Sequence, residues 1–516
     1  MGGEGQEEEK EKPSPKAMVV TMMKDLGGGS QYFRAKRNLD SPDVYIWGSN
    51  MYGVADPDSI GAEPVVKKPR KLRYFRGQAL KDLKLGETCG AAITQNGDLV
   101  QWGKGYSETE FKPTKTLTGK GLVSLCMSRD RIISLSSDGK VYSLPIAKIE
   151  QDSGRKPSET TPSRWWLPFW TSSPRSAPLS YRLLTPPSLK FGEKVTAVSG
   201  GLEHVLLLTS SGRVFSAASS SESFPSRGQL GIPGLSWKNR PAGRPVDARH
   251  EVTSLRNSNK ITQIAAGDYH SVALSSDGRI FCFGDNSFGQ LGMEFFAETK
   301  YNDTPTELPL KRFYRSNKAW EAKATGIAAG DTTSFFTVDA KPRDNNANGK
   351  NNITADTWAC GKGISGILGN GKWTHLQDEP TKVKALSGLR EFDERLQRTV
   401  PVHLRDISVG ATHASAVLDN RSELQDLPSD GVNTRGLDVL WWGGNEFFQL
   451  GTGKRSNLCK PTYITAPASV LNEQGNKEEA RLQITPRQKG EVHGRKVTME
   501  QRVECGRYTS AIYSAV

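Results

Sequence analysis

The chain has 516 residues, 35% of them hydrophobic, which is enough to bury a large core. Lysine and arginine number 69 against 56 aspartates and glutamates, so the formal net charge is +13 and the pI near 9.3, a balance that suits an acidic partner, an anionic lipid surface or nucleic acid. No run of about 18 apolar residues occurs, which excludes a membrane-crossing helix, and six scattered cysteines (Cys89, Cys126, Cys282, Cys360, Cys459, Cys505) without a Cys-x-x-Cys spacing point to reduced core residues rather than a zinc or dithiol site.

Taken in chain order, residues 1–40 open with Glu4, Glu7, Glu8, Glu9 and Glu11 and few apolar residues. This segment is predicted to be disordered. It is also too acidic for a mitochondrial presequence, which is Arg-rich and acid-poor. Val44 to Asn50 carries a strand ending in Trp47-Gly48, the second half of a unit with no first half before it. A basic run follows, with Lys67, Lys68, Arg70, Lys71 and Arg73. It reads either as a connector between units or as a nuclear-import signal or phosphate contact, readings that are compatible if the run is exposed.

The remainder repeats one pattern. Its clearest copy runs from Ile261 to Gly292. Ile261–Ala266, Ser271–Leu274 and Arg279–Phe283 have strand length and composition. Asp277-Gly278 is a hairpin turn signal, because glycine tolerates the positive φ of a tight turn. Gly284 and the tail Gly289-Gln290-Leu291-Gly292 then turn the chain toward the next copy. Aligned on Gly267, the other copies place Gly86, Ser128, Gly201, Gly330, Gly410 and Gly506 at that position. The copy after Leu122 is the most degenerate, with Leu144-Pro145 where an aromatic-glycine step would fall. Val503 to Tyr513 is a first half, completing the second half at Val44. A small sheet that cannot bury both faces must stack on copies of itself, and a ring closed by its own ends protects the strand edges. The predicted fold is all-β: a seven-bladed β-propeller over residues 41–516, closed by N- and C-terminal strands sharing one blade. Loops are expected at about 147–190, 218–258, 341–355, 421–437 and 466–497.

The loop at 147–190 is the strongest candidate contact. Arg164, Trp165, Trp166, Phe169 and Trp170 crowd into a Ser- and Pro-rich stretch. Tryptophan with arginine suits a membrane interface or a protein hot spot. The competing reading is a loop that folds back into a groove between blades.

No catalytic, cofactor or metal site is predicted. His204, His270 and His413 recur in the same slot of different copies, as a structural hydrogen-bonder would, while His250, His375, His403 and His493 lack ligand spacing. Gly451-Thr452-Gly453-Lys454 fails as a phosphate loop, because Arg455 stands where Ser or Thr would bind magnesium and Phe448 replaces the first glycine.

The pattern Gly267-x-x-His270-Ser271-x-Ala273-Leu274, with Asp277-Gly278, Phe283-Gly284-x-Asn286 and Gly289-Gln290-Leu291-Gly292, resembles the repeat of the regulator-of-chromosome-condensation family. The Trp-Asp dipeptide of WD40 propellers is absent. The degenerate second copy, long insertions and Trp-rich loop are most similar to the fungal mitochondrial branch. That resemblance implies a non-enzymatic interaction platform at the matrix side of the inner membrane, assisting assembly of respiratory complex III, with a respiratory subunit or assembly factor as partner and peripheral membrane contact. The alternative it implies is a guanine nucleotide exchange factor for a small GTPase, in the nucleus or cytosol. Nucleic-acid binding is the weakest reading of the positive charge.

Overall fold

The computed structural model describes residues 42–159, 175–243, 245–314, 320–342, 353–393, 396–420, 436–465, 481–492 and 495–516. Residues 1–41 and parts of the expected loops at 147–190, 341–355, 421–437 and 466–497 lie outside them.

The three strands expected in the copy at Ile261 form, and a fourth joins them. Ile261–Ala266, His270–Ser275, Ile280–Asp285 and Tyr301–Leu308 form one four-stranded antiparallel sheet. Its hairpin turns at Gly278, whose φ is 86°. The middle strands are buried at every position, because both faces of the sheet are covered by neighbours. Three further four-stranded sheets begin at Leu122–Met127, Val195–Gly200 and Trp320–Gly330. A five-stranded sheet begins at Leu404–Val409 and gains Gln483–Ile484 on its third strand. The stretch expected as a loop at 218–258 contributes the outer strand His250–Glu251 to its blade and a turn of 3-10 helix at Thr253–Asn257.

The fold is an all-β propeller, but the expectation of seven separate blades is corrected by the strand pairing. Five blades stand as discrete sheets of four or five strands. The rest of the repeat array is one nine-stranded sheet. In it, Val44–Ser49 pairs antiparallel with Thr509–Ala515, from Val44 opposite Tyr513 to Gly48 opposite Thr509. Thr509–Ala515 also meets Leu80–Leu85 through a parallel bridge, Leu80 to Ala515. That bridge fuses the strands of the chain ends with those of the first complete copy, and no edge separates them. Counting repeats in the sequence therefore overcounts the independent sheets.

Trp47, Trp102, Trp441 and Trp442 are fully buried between sheets. Trp47 meets Trp441 edge to face at 5.2 Å, and Trp102 meets Phe75 at 5.7 Å, the geometry that aromatic quadrupoles prefer. The indole of Trp47 donates to the Gln449 carbonyl at 2.8 Å and that of Trp102 to Val54 at 2.9 Å. The tryptophans of these two aromatic-glycine steps thus fill seams and tie themselves to the tail of the preceding copy. The six cysteines are all free, and all but Cys459 are buried.

Candidate interaction sites at the channel and on the rim

The repeated histidines belong to the frame. The Nε2 atoms of His204, His270 and His413 meet the Oγ atoms of Ser271, Ser334 and Ser510 in the following copy, at 2.8, 2.8 and 2.7 Å. Each serine hydroxyl donates its proton to the carbonyl of Gln229, Gln290 or Gln449 in a Gly-Gln-Leu-Gly-type tail. The serine oxygen must then accept, so each histidine carries its proton on Nε2 and is neutral. Burial holds all three imidazoles down to about 3. The glycine of the repeat makes room for this ring: a Cβ on Gly267 would lie 2.2 Å from His270 Cε1 and 2.6 Å from the Asp331 carbonyl. Among the described residues, no group of three or more His, Cys, Asp or Glu could hold a metal ion.

The inner strands surround an axial cavity of about 800 Å³. Charge is placed in it at two levels. In its interior, Lys84 reaches Glu504 at 2.7 Å and lies 3.9 Å from Asp82. Burial pushes Glu504 up to about 7 against the pull of Lys84, and Lys84 is itself held above its ordinary range by Glu504 and Asp82 despite its own burial. Asp406 lines the same wall, and burial raises it too.

At one end of the cavity stand the residues that follow the repeat glycine. These are Glu87, Arg129, Leu202, Asp268, Asp331, Ala411 and Arg507. Arg507 holds Asp268 through both terminal guanidinium nitrogens, at 3.0–3.1 Å. Burial raises Asp268 to about 7 although Arg507 opposes it. Arg129 donates to the Tyr269 hydroxyl at 3.0 Å and lies 3.8 Å from Glu203, and Arg227 stacks on Tyr269 at 4.0 Å. This charged mouth was missed in the sequence. Its signal was available: in the aligned copies the residue after the glycine is charged in five of the seven positions just named.

The basic run falls on the strand Val65–Lys71, an edge of the nine-stranded sheet, and on the turn of 3-10 helix at Arg73–Phe75. The structure divides it. Arg70 is neutralised by Asp56 at 2.8 Å and Glu63 at 2.6 Å, and Lys71 by Asp43 at 2.6 Å. Lys67, Lys68 and Arg73 are exposed and pair with no acid among the described residues, Lys67 lying over the Phe448 ring at 5.5 Å. Arg164, Trp165, Trp166, Phe169 and Trp170 lie outside the described residues. The strands on either side of them, Ser158–Glu159 and Arg175–Ser176, pair with each other.

Comparison with known proteins agrees with the repeat architecture. Residues 261–290 and 277–337 match two models of the regulator of chromosome condensation (RCC1) repeat. The chain is 25% identical over 492 residues to "Protein FMP25, mitochondrial" of Saccharomyces cerevisiae, covering 90% of this chain and 73% of that protein. It is 25% identical over 404 residues to "RCC1 domain-containing protein RUG3, mitochondrial" of Arabidopsis thaliana, covering 75% of each. It is 24% identical over 439 residues to the "Secretion-regulating guanine nucleotide exchange factor" of Mus musculus, covering 82% of this chain and 78% of that protein. The crystal structure of human WBSCR16 shares the fold, with a TM-score of 0.58 at 17% identity over 92% of this chain and 99% of that one.

Proposed function

We propose, for a chain built of regulator of chromosome condensation repeats, a non-enzymatic role as a protein-interaction platform in the mitochondrion. One observation carries the first half of this reading. The histidines and serines that recur in the repeat, together with the tail carbonyls, are consumed in bonds between neighbouring copies. What faces outward is charge at the channel mouth and on the rim, which suits recognition rather than bond chemistry. The mitochondrial half is supported by similarity to the two relatives named as mitochondrial.

In its finer form, the platform works at the matrix side of the inner membrane and assists assembly of a respiratory complex, complex III by the resemblance of the repeat pattern and insertions. The partner is a subunit or assembly factor, met through the loop bearing Arg164, Trp165, Trp166, Phe169 and Trp170, with the ridge of Lys67, Lys68 and Arg73 as a second contact. Fractionation with protease protection on the untagged gene product tests this. Protection inside mitochondria, release by carbonate but not by salt, and co-purification of a respiratory subunit are the expected results. A cytosolic or nuclear pool overturns the reading.

The second reading, an exchange factor for a small GTPase, is supported by the similarity to the secretion-regulating exchange factor. Its test is acceleration of fluorescent guanine-nucleotide release from a GTPase by the purified chain.

A further inference from the structure

A second cavity, of about 370 Å³, lies away from the channel, where the blade starting at Leu122–Met127 meets the insertion of the next blade. Pockets of this size hold small molecules. Arg131 on its wall is only 8% exposed. Its Nε donates to Ser143 Oγ at 2.8 Å and its Nη2 to the Ser143 carbonyl at 3.1 Å. No carboxylate among the described residues reaches it in an ion pair. Asp130, Asp247 and Glu150 act on it only from a distance, while burial and the nearby Arg182 both work against its charge. A buried guanidinium held only by neutral groups is expensive, and it retains donors for a further acceptor.

The same pocket carries hydroxyls without partners. Ser219 Oγ, on a residue 2% exposed, and Ser223 Oγ bond to nothing among the described residues. Two carboxylates also line the pocket. Asp247 is engaged by Arg182 at 3.2 Å, and Glu222 is exposed to solvent. At the rim Trp237 is half exposed, with Phe224 edge-on at 6.0 Å and the Arg240 guanidinium over its ring at 3.7 Å. Arg240 Nη1 likewise lacks a partner among the described residues.

We propose that this pocket binds a phosphate monoester, its oxyanion held by Arg131 and the Ser219 and Ser223 hydroxyls, its organic part lying against Phe224 and Trp237. A phosphoryl group offers three acceptor oxygens to donors arranged around it, and charge-assisted bonds to guanidinium are the strong ones. An aromatic rim gives the rest of the ligand an apolar, flat surface. The site is separate from the channel mouth and does not depend on the cellular location of the protein.

Calorimetric titration of the purified full chain tests it, with phenyl phosphate, inorganic phosphate and benzoate as probes. The expected result is saturable binding of one phenyl phosphate per chain, about tenfold tighter than either other probe. Arg131→Gln and, separately, Ser219→Ala with Ser223→Ala should each weaken it about tenfold. Absence of saturable binding overturns the proposal, as does unchanged affinity in the paired serine variant, which decides the matter if Arg131→Gln does not fold. Equal affinity for inorganic phosphate and phenyl phosphate overturns the monoester, and tighter benzoate overturns the phosphate.

Discussion

Arg507, next to the last repeat glycine, clasps Asp268, next to the glycine of the copy at Ile261, across the mouth of the channel at 3.0–3.1 Å. The two residues occupy the same slot in different copies, so their meeting is a property of the ring and not of either blade. Side-chain exposure is 27% for Arg507 and 12% for Asp268, which makes this a partly buried pair. Removing one partner leaves a desolvated charge. Arg507→Met is expected to cost about 3 kcal/mol in urea unfolding, and Arg507→Met with Asp268→Leu should recover part of that loss. A double-variant loss equal to the sum of the losses in Arg507→Met and Asp268→Leu alone would mean the pair has no coupling.

The histidine-serine relay gives a second prediction. Ser334→Ala removes the acceptor of the His270 Nε2 proton and the donor to the Gln290 carbonyl at once. The His270 Nε2 proton is then unpaired, and the Gln290 carbonyl keeps only the weak Cys360 thiol donor at 3.4 Å. A loss of about 1–3 kcal/mol is expected, measured by chemical denaturation. A loss near zero would show that water replaces the hydroxyl.

Stability should also depend on pH in a defined direction. His204, His270 and His413 lie at about 3 when folded, below the ordinary value of 6.5. The unfolded chain therefore binds more protons between those limits, so the contribution of these residues is present above about pH 6.5 and is lost as pH falls toward 3. Asp268 and Glu504 act in the opposite sense, as does Asp406, which burial also raises. The first two are raised to about 7, so each favours the folded state at low pH and loses that contribution as pH rises through 7. Because the histidines stay neutral in the folded state down to about 3, urea midpoints should rise from pH 4.5 to 6.5 against the opposing acids. Asp268→Asn should steepen that rise, because it removes one opposing group. A midpoint flat across that range, or falling, would contradict the neutral assignment of the histidines.

Much of this was legible in the sequence, and the reason is local. Gly267, His270, Asp277-Gly278 and the Gln290 tail each meet a requirement set within one copy or against the next, so one well-preserved copy displays them all. The number of discrete sheets was not legible. It turns on a single parallel bridge from Leu80 to Ala515, and no residue type announces such a bridge. The clasp of Arg507 and Asp268 was hidden for a related reason. Each is an ordinary charged residue in its own copy, and the partner is distant in sequence. The basic run showed the limit of composition: Arg70 and Lys71 are paired with acids, and only the fold tells them apart from Lys67 and Lys68.

Glycine positions permit a sharper test of the packing. Gly361 has φ of 114°, and a Cβ there would lie 2.1 Å from the Thr332 carbonyl. Backbone is on the other side of that contact and cannot rotate away. Gly361→Ala is expected to destabilise by about 3 kcal/mol or more, whereas Gly388→Ala, whose Cβ would meet only the Thr354 hydroxyl at 3.8 Å, should cost about 1 kcal/mol from its positive φ of 67°. Thermal melting of the two variants compares them directly, and similar melting temperatures would contradict the close approach.

The pairing of Val44–Ser49 with Thr509–Ala515 also sets an order of events in time. The strand at Val44–Ser49 finds this hydrogen-bonding neighbour only once Thr509–Ala515 has emerged from the ribosome. Until then that edge is open, and a chaperone has a long interval in which to hold the chain extended. Joining of the first and last repeats described is therefore conditional on synthesis through Ala515: a nascent chain stalled before Thr509 lacks the strand that joins them, and it would present an unpaired edge to the quality-control machinery.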